Sequence, residues 1–108
     1  MRQGSRYLVR KQILAPPTVD PGIKRAVEVL CAAGVETFES CEGGEGHAYP
    51  EPTVRFYGER SEGMYALAAA LDGGLRVYNL RRVWRIEDGE PTGPWWELTF
   101  VPEAGQRG

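Results

Sequence analysis

Apolar residues recur at three- and four-residue spacing along Ile23, Ala26, Val27, Leu30 and Cys31, which predicts a helix with one buried face. Asp20-Pro21 supplies its start, an N-cap acceptor followed by proline at the first helical position, and Gly34 supplies its stop. A second helix is predicted from Ser61, as cap, through Leu71, with Met64, Leu67, Ala68 and Leu71 as its stripe and Asp72-Gly73-Gly74 as its end. Elsewhere the period changes to two. Val35 to Ser40 reads as a short strand, and Thr53 to Tyr57 alternates cleanly, with Val54 and Phe56 inward and Thr53, Arg55 and Tyr57 outward. Leu75 to Ile86 is a long, arginine-rich strand whose apolar register shifts near Asn79, which predicts a bulge. Asp88 to Pro94 reads as a turn. The last strand then runs from Trp95 to Val101, with Trp96, Leu98 and Phe100 on one face and Trp95, Glu97 and Thr99 on the other. Arg6 to Leu14 is strand-like in composition and is placed as an edge strand, followed by a stiff connector, Ala15-Pro16-Pro17-Thr18-Val19.

Helix, glycine, strand, loop and strand therefore occur twice in the same order. The simplest way to bury both helical stripes is to lay two helices on one face of a four- to five-stranded, mainly antiparallel sheet, an α+β fold of two helix-strand-strand units. At 108 residues the chain is expected to form one domain, with residues 1 to 5 and 103 to 108 disordered.

Composition narrows the partners. Hydrophobic and charged fractions of 42% and 26% are ordinary for a globular protein, and a net charge of −2 gives no general pull toward nucleic acid or anionic membrane. No apolar run reaches membrane-spanning length, and Met1 to Arg6 lacks the apolar core of a signal peptide. A soluble cytoplasmic protein is expected, with no membrane and no nucleic acid among its partners.

Chemistry concentrates in one stretch, Phe38 to Pro52. It holds the only histidine, His47, one of two cysteines, Cys41, and Gly43, Gly44 and Gly46 between them, and it leaves through Pro50-Glu51-Pro52. Long loops inside compact domains are usually functional or disordered. Glycines in succession allow backbone N–H groups to converge on a ligand. Glu36, Glu39, Glu42, Glu45 and Glu51 surround them with no lysine or arginine in between, which disfavours a bare phosphate. There is no Walker lysine and no dinucleotide fingerprint. Arg55, and Arg76, Arg81, Arg82 and Arg85 from the second unit, are the candidate cations for a ligand carrying both donors and acceptors, such as a nucleotide or nucleoside derivative. Tyr49, Tyr57, Trp84 and Trp95 are candidates to stack on its base.

Other readings use the same residues. His47 folding back on Cys41 would make a thiol nucleophile and its base, so these two are the catalytic candidates. Cys41 and His47 with Glu42, Glu45 or Glu51 would make a metal shell, but structural zinc sites usually bring paired cysteines and no C-x-x-C is present. No metal and no cofactor is expected. A plain connector is the remaining reading. The arginine strand beside Tyr78, Trp84 and Trp95 reads as a solvated face balanced by Glu97 and Glu87, or, with Trp95 exposed, as a surface for a protein partner.

From Thr37 through Gly58 the chain resembles a group of small uncharacterised bacterial and phage proteins that share an S-C-x-G-G-x-G-H-x-(aromatic)-P-E-P segment running into a strand. The likeness covers residues 20 to 72. It implies a location for the site and no activity. The expected function is binding of a small polar or nucleotide-like ligand at Ser40 to Pro52, through Ser40, Cys41, Gly43, Gly44, Gly46, His47, Tyr49, Glu51 and Arg55. A protein-interaction module, for example a phage or mobile-element inhibitor of a host factor, and a Cys/His-dependent enzyme are the alternatives.

Overall fold

The computed structural model describes residues 10–17 and 19–102. A single 3-10 turn, Pro21–Ile23, opens the helix α1, Lys24–Ala32. Then come β1 (Thr37–Cys41), β2 (Thr53–Phe56), α2 (Arg60–Asp72), β3 (Val77–Glu87) and β4 (Glu90–Phe100). The four strands form one antiparallel sheet in the order β1-β2-β4-β3. Each helix-strand-strand unit thus puts its second strand at the centre, and the two units join through β2 and β4. The α+β architecture expected from the alternating periods is the one observed.

The core lies between the helices and one face of the sheet. Ile23, Ala26, Val27, Leu30 and Cys31 of the first helix meet Val54, Phe56, Trp96, Leu98 and Phe100 from the two inner strands. Phe56, Leu30 and Leu98 are fully buried; each such side chain contributes about 1.5–3 kcal/mol through loss of apolar surface to water. The α1 stripe lies as its spacing predicts. Gly34 takes a positive φ of 86° just beyond the helix, a conformation that ends helices at low cost only for glycine.

The second helix is rotated from its expected phase. Gly63, Ala66, Ala69 and Ala70 face the core, while Met64 and Leu71 are exposed. Ser61 makes no cap; the helix starts at Arg60, with Glu59 in the N-cap position and no side-chain cap bond. At the first turn the reason is Trp96. Its indole fills the space beneath the first turn and donates from Nε1 to the carbonyls of Gly58 (3.0 Å) and Glu59 (3.1 Å), so only small side chains fit above it. A Cβ on Gly63 would stand 2.6 Å from two indole carbons. Alanine in a helix interior ordinarily gains up to about 1 kcal/mol over glycine. Here Gly63→Ala is expected to destabilise by about 1–3 kcal/mol, because the ring has no room to retreat. Urea unfolding of the two proteins would measure the sign, and a stabilised variant would refute the packing account.

Three further expectations need correction. Lys11 to Leu14 is not a strand: Ile13 donates its N–H to Cys31 O at the end of α1, and Leu14 is exposed. The segment docks on the helix, where Arg10 reaches Glu62 through two bonds of 3.0 and 2.8 Å, lies over the Tyr65 ring and also reaches Gly34 O. Residues 6–9 of the expected strand, like residues 1–5 and 103–108, lie outside the described residues. The turn before the last strand is only Asp88-Gly89, both at positive φ (53° and 80°), so β4 begins at Glu90. That dipeptide suits the tight hairpin turn whose twist matches the strands. The expected bulge near Asn79 is present, and a second lies between Val83 and Arg85. Finally, the arginines of β3 are exposed as expected, and so is Tyr57, but the other outward residues of the two inner strands are not. Thr53, Arg55, Trp95, Glu97 and Thr99 are all buried, on the face opposite the helices.

Candidate functional site

Residues 42–52 join β1 to β2, and the loop is tied down from within. Gly44 donates its N–H to Pro50 O (3.1 Å), and His47 to Gly44 O (3.1 Å). Gly43, at φ +82°, passes so close to the returning chain that a Cβ would lie 2.4 Å from the Glu51 carbonyl carbon and 2.6 Å from the Pro52 nitrogen. Its N–H points back to Cys41 Sγ at 3.4 Å. The amides of Gly43 and Gly44 are therefore spent inside the loop rather than turned outward as a nest for an anion.

The residues expected to share one site fall into two places. At the loop's base, Cys41 and His47 come together, and the third member is Asp20, from the turn that opens α1. One ligating atom from each of the three lies within 4.8 Å of the others. Glu42 completes the group. Its Oε1 accepts the Gly22 N–H at 2.9 Å, its own N–H donates to Asp20 Oδ2 at 3.4 Å, and Oε2 stands 3.5 Å from His47 Nε2. Cys41 is buried at the strand end, while Asp20 and His47 face solvent.

The loop's returning limb passes over Arg55 at the centre of the sheet. There Tyr49 lies over the Arg55 guanidinium at 4.9 Å, and Trp95 covers it at the same distance. Arg55 is the hub of a charge ladder that spans all four strands. It donates to Glu39 on β1 (2.8 Å) and to Glu97 on β4 (3.0 Å), and Glu97 accepts in turn from Arg81 on β3 (2.9 Å). The side chains of Arg55 and Glu97 are only 9% and 5% exposed. Burial pushes the Tyr49 phenol above its ordinary pKa, with Arg55 opposing the shift. Arg85 flanks Trp95 at 5.7 Å, and Phe38 and Tyr57 stack beside them with ring centroids 4.3 Å apart.

This arrangement changes several assignments. Arg55 is engaged by two carboxylates and two rings and ties the sheet face together. Trp95, expected to be an exposed interface residue, is 7% exposed. Ser40 does not point to the loop's base; it lines a groove of about 330 Å³ along the outer edge of β1, with Phe38, Val19 and Pro16. Glu51 contributes its backbone carbonyl to the Thr53 hydroxyl (2.8 Å), and Gly46 stands open to space. Asp20 is the member that sequence reasoning missed. Its proline neighbour marked it as a helix cap, yet its side chain makes no cap bond and turns to the loop instead. No hydrogen bond joins Cys41 Sγ to the imidazole among the described residues, so the pairing of an activated thiol with its base is not in place. Burial, the largest influence, pushes the Cys31 thiol upward, with Thr37 opposing, which leaves Cys31 a core residue.

Comparison of the chain with protein-family models, with curated proteins and with solved structures gives no match. No helix among the described residues is long and apolar enough to cross a membrane.

Proposed function

We propose that the protein binds a small polar ligand at the base of the Ser40–Pro52 loop, with Asp20, Cys41, Glu42 and His47 as its contacts. The observation that carries this reading is the convergence of acid, thiol and imidazole from two separate elements, within 4.8 Å, at the mouth of a loop fixed by its own hydrogen bonds. A connector between two strands has no use for that convergence. Of the aromatic residues expected to stack on a nucleobase, Tyr49 and Trp95 are already engaged with Arg55, which favours a small polar species over a nucleotide-like one.

A thermal-shift panel of metabolites and nucleotides on wild type and His47→Ala tests it. A true ligand at a hundredfold excess over its Kd adds about 2.7 kcal/mol, which is on the order of 10 °C in Tm for a domain of this size. The shift should shrink by more than half in His47→Ala. Equal shifts in both proteins would remove His47, and with it this site.

One observation favours a second reading, an interaction module. Among the described residues β3 is an edge strand, and Tyr78, Trp84 and Ile86 stand exposed along it, Trp84 at 58%. An open strand edge beside exposed apolar side chains is how many domains add a partner's strand. Under that reading Trp84→Arg abolishes complex formation and leaves the ligand panel unchanged.

A further inference from the structure

We propose that the ligand taken at the loop's base is a divalent, thiophilic metal ion of the zinc type, held by Asp20 Oδ, Cys41 Sγ and an imidazole nitrogen of His47. The inference rests on the loop-base reading above and names the chemistry of that site. Zinc bonds sulfur at about 2.3 Å and nitrogen or oxygen at about 2.0–2.2 Å, so neighbouring donors in a tetrahedral shell stand about 3.3–3.6 Å apart. The three donor atoms already lie within 4.8 Å of one another without an ion. Closing the rest requires a movement of about 1 Å, within the reach of the solvent-facing Asp20 and His47 side chains.

The surroundings favour a cation. No lysine or arginine occurs between Arg25 and Arg55, while Glu36, Glu39, Glu42, Glu45 and Glu51 all do. The glutamates that argue against an anion in this loop argue for a metal. The Gly43 N–H donating to Cys41 Sγ at 3.4 Å stabilises negative charge on sulfur, as amide donors to ligating thiolates do. Glu42, anchored by the Gly22 N–H and 3.5 Å from His47 Nε2, is placed as the outer carboxylate that orients the ring and fixes which nitrogen faces the ion. A thiolate among the donors selects zinc-like ions over magnesium or calcium, which prefer oxygen alone. Three protein donors leave a fourth position for water or for an exogenous polar group. Such open shells are those of zinc sites that act on a ligand rather than merely brace a fold.

The test uses the 108-residue chain, stripped with a chelator, desalted and titrated with Co(II) and then Zn(II). One equivalent should bind per chain, with a thiolate-to-cobalt charge-transfer band that Zn(II) abolishes and that Mg(II) and Ca(II) leave untouched. Cys41→Ser should lose the band. His47→Ala should bind Zn(II) at least about a hundredfold more weakly, the upper end of what even outer-shell partners contribute, and Glu42→Gln about tenfold more weakly. Glu45→Gln, a carboxylate of the same loop outside the cluster, should bind as wild type does. Unfolding curves in chelator establish that each variant folds; His47 is solvent-facing and keeps the test valid if Cys41→Ser does not. Absence of stoichiometric uptake, a cobalt spectrum without the sulfur band, or wild-type affinity in His47→Ala each overturns the proposal. If uptake fails while a metal-free panel still gives stabilisation that depends on His47, the metal falls and the loop-base site stands. Failure of both removes the two together.

Discussion

Arg55→Ala is expected to lower the free energy of unfolding by about 3–5 kcal/mol, the range for breaking a buried ion pair by removing one partner. The loss is not that of a surface salt bridge, which seldom exceeds about 1 kcal/mol. Removing the guanidinium leaves Glu97, whose side chain is 5% exposed, with only the exposed Arg81 and a 3.4 Å contact from the Trp95 indole N–H. It also opens the space between Tyr49 and Trp95 that the guanidinium fills. An ionised carboxylate left in that setting keeps its desolvation penalty and loses most of its compensation. The double variant Arg55→Met, Glu97→Met separates this from simple loss of packing. Replacing both charges by apolar side chains of similar volume is often near neutral, so the double variant should be more stable than Arg55→Ala by about 2 kcal/mol or more. Equilibrium unfolding in guanidinium would measure both, and a cost below about 1 kcal/mol for Arg55→Ala would place the pair among solvent-screened ones.

Gly43→Ala should have the second-largest effect, and it should appear in the site as well as in stability. Two penalties act together. A left-handed backbone at φ +82° costs a side-chain-bearing residue on the order of 1 kcal/mol. The new methyl would in addition sit 2.4–2.9 Å from backbone atoms of Glu51 and Pro52. Those atoms cannot rotate away as a side-chain tip does, because Pro52 O accepts the Phe100 N–H and leads directly into β2. A total of about 2–4 kcal/mol follows, unless the loop lets go of its anchor. If it does, the cost is smaller, but the Gly43 amide leaves Cys41 Sγ and His47 leaves Asp20. Either way, stabilisation by the loop-base ligand should fall at least about tenfold in apparent affinity. Gly46→Ala is the matched control, since it shares the positive φ but meets nothing within 4 Å. Equal losses of ligand response in the two variants would mean that the close pass at Gly43 has no part in shaping the site.

Much of the architecture was legible because it depends on period and punctuation. Ile23, Ala26, Val27, Leu30 and Cys31 mark a face that no other packing would use, and Asp20-Pro21 and Gly34 bracket it. The order of the two units follows from the repeat of helix, glycine and strands. The second helix was misphased because its buried positions are glycine and alanines, which carry almost no hydrophobic signal. The large side chains Met64 and Leu71 carried that signal and pointed outward. What selects glycine at the first turn is Trp96, which belongs to β4, 33 positions after Gly63. The short Asp88-Gly89 turn carries its own sequence signature and was hidden by reading the prolines after it as part of the loop. For the site, the loop was visible and its chemistry was not. Asp20 lies 21 residues before Cys41, and only the docking of the helix start against the end of β1 brings them together. The splitting of Tyr49 and Arg55 away from Cys41 and His47 depends on the path by which the loop returns to β2, and local pattern does not encode that.

The charge ladder has a consequence for which sheet can form at all. A slip of one residue between β2 and β4 would carry Val54 and Phe56 out of the core, so alternation alone guards against odd shifts. Alternation is blind to a slip of two, which keeps every apolar side chain on its proper face. In that misaligned sheet Arg55 would stand opposite Trp95 or Thr99 instead of Glu97, and each of these two buried charges would lose its counterpart across the central seam. The same holds at both outer seams, where Glu39 pairs with Arg55 and Arg81 with Glu97. Four residues, one from each strand, thus read the alignment of the whole sheet and reject the even-numbered errors that hydrophobic patterning would let through.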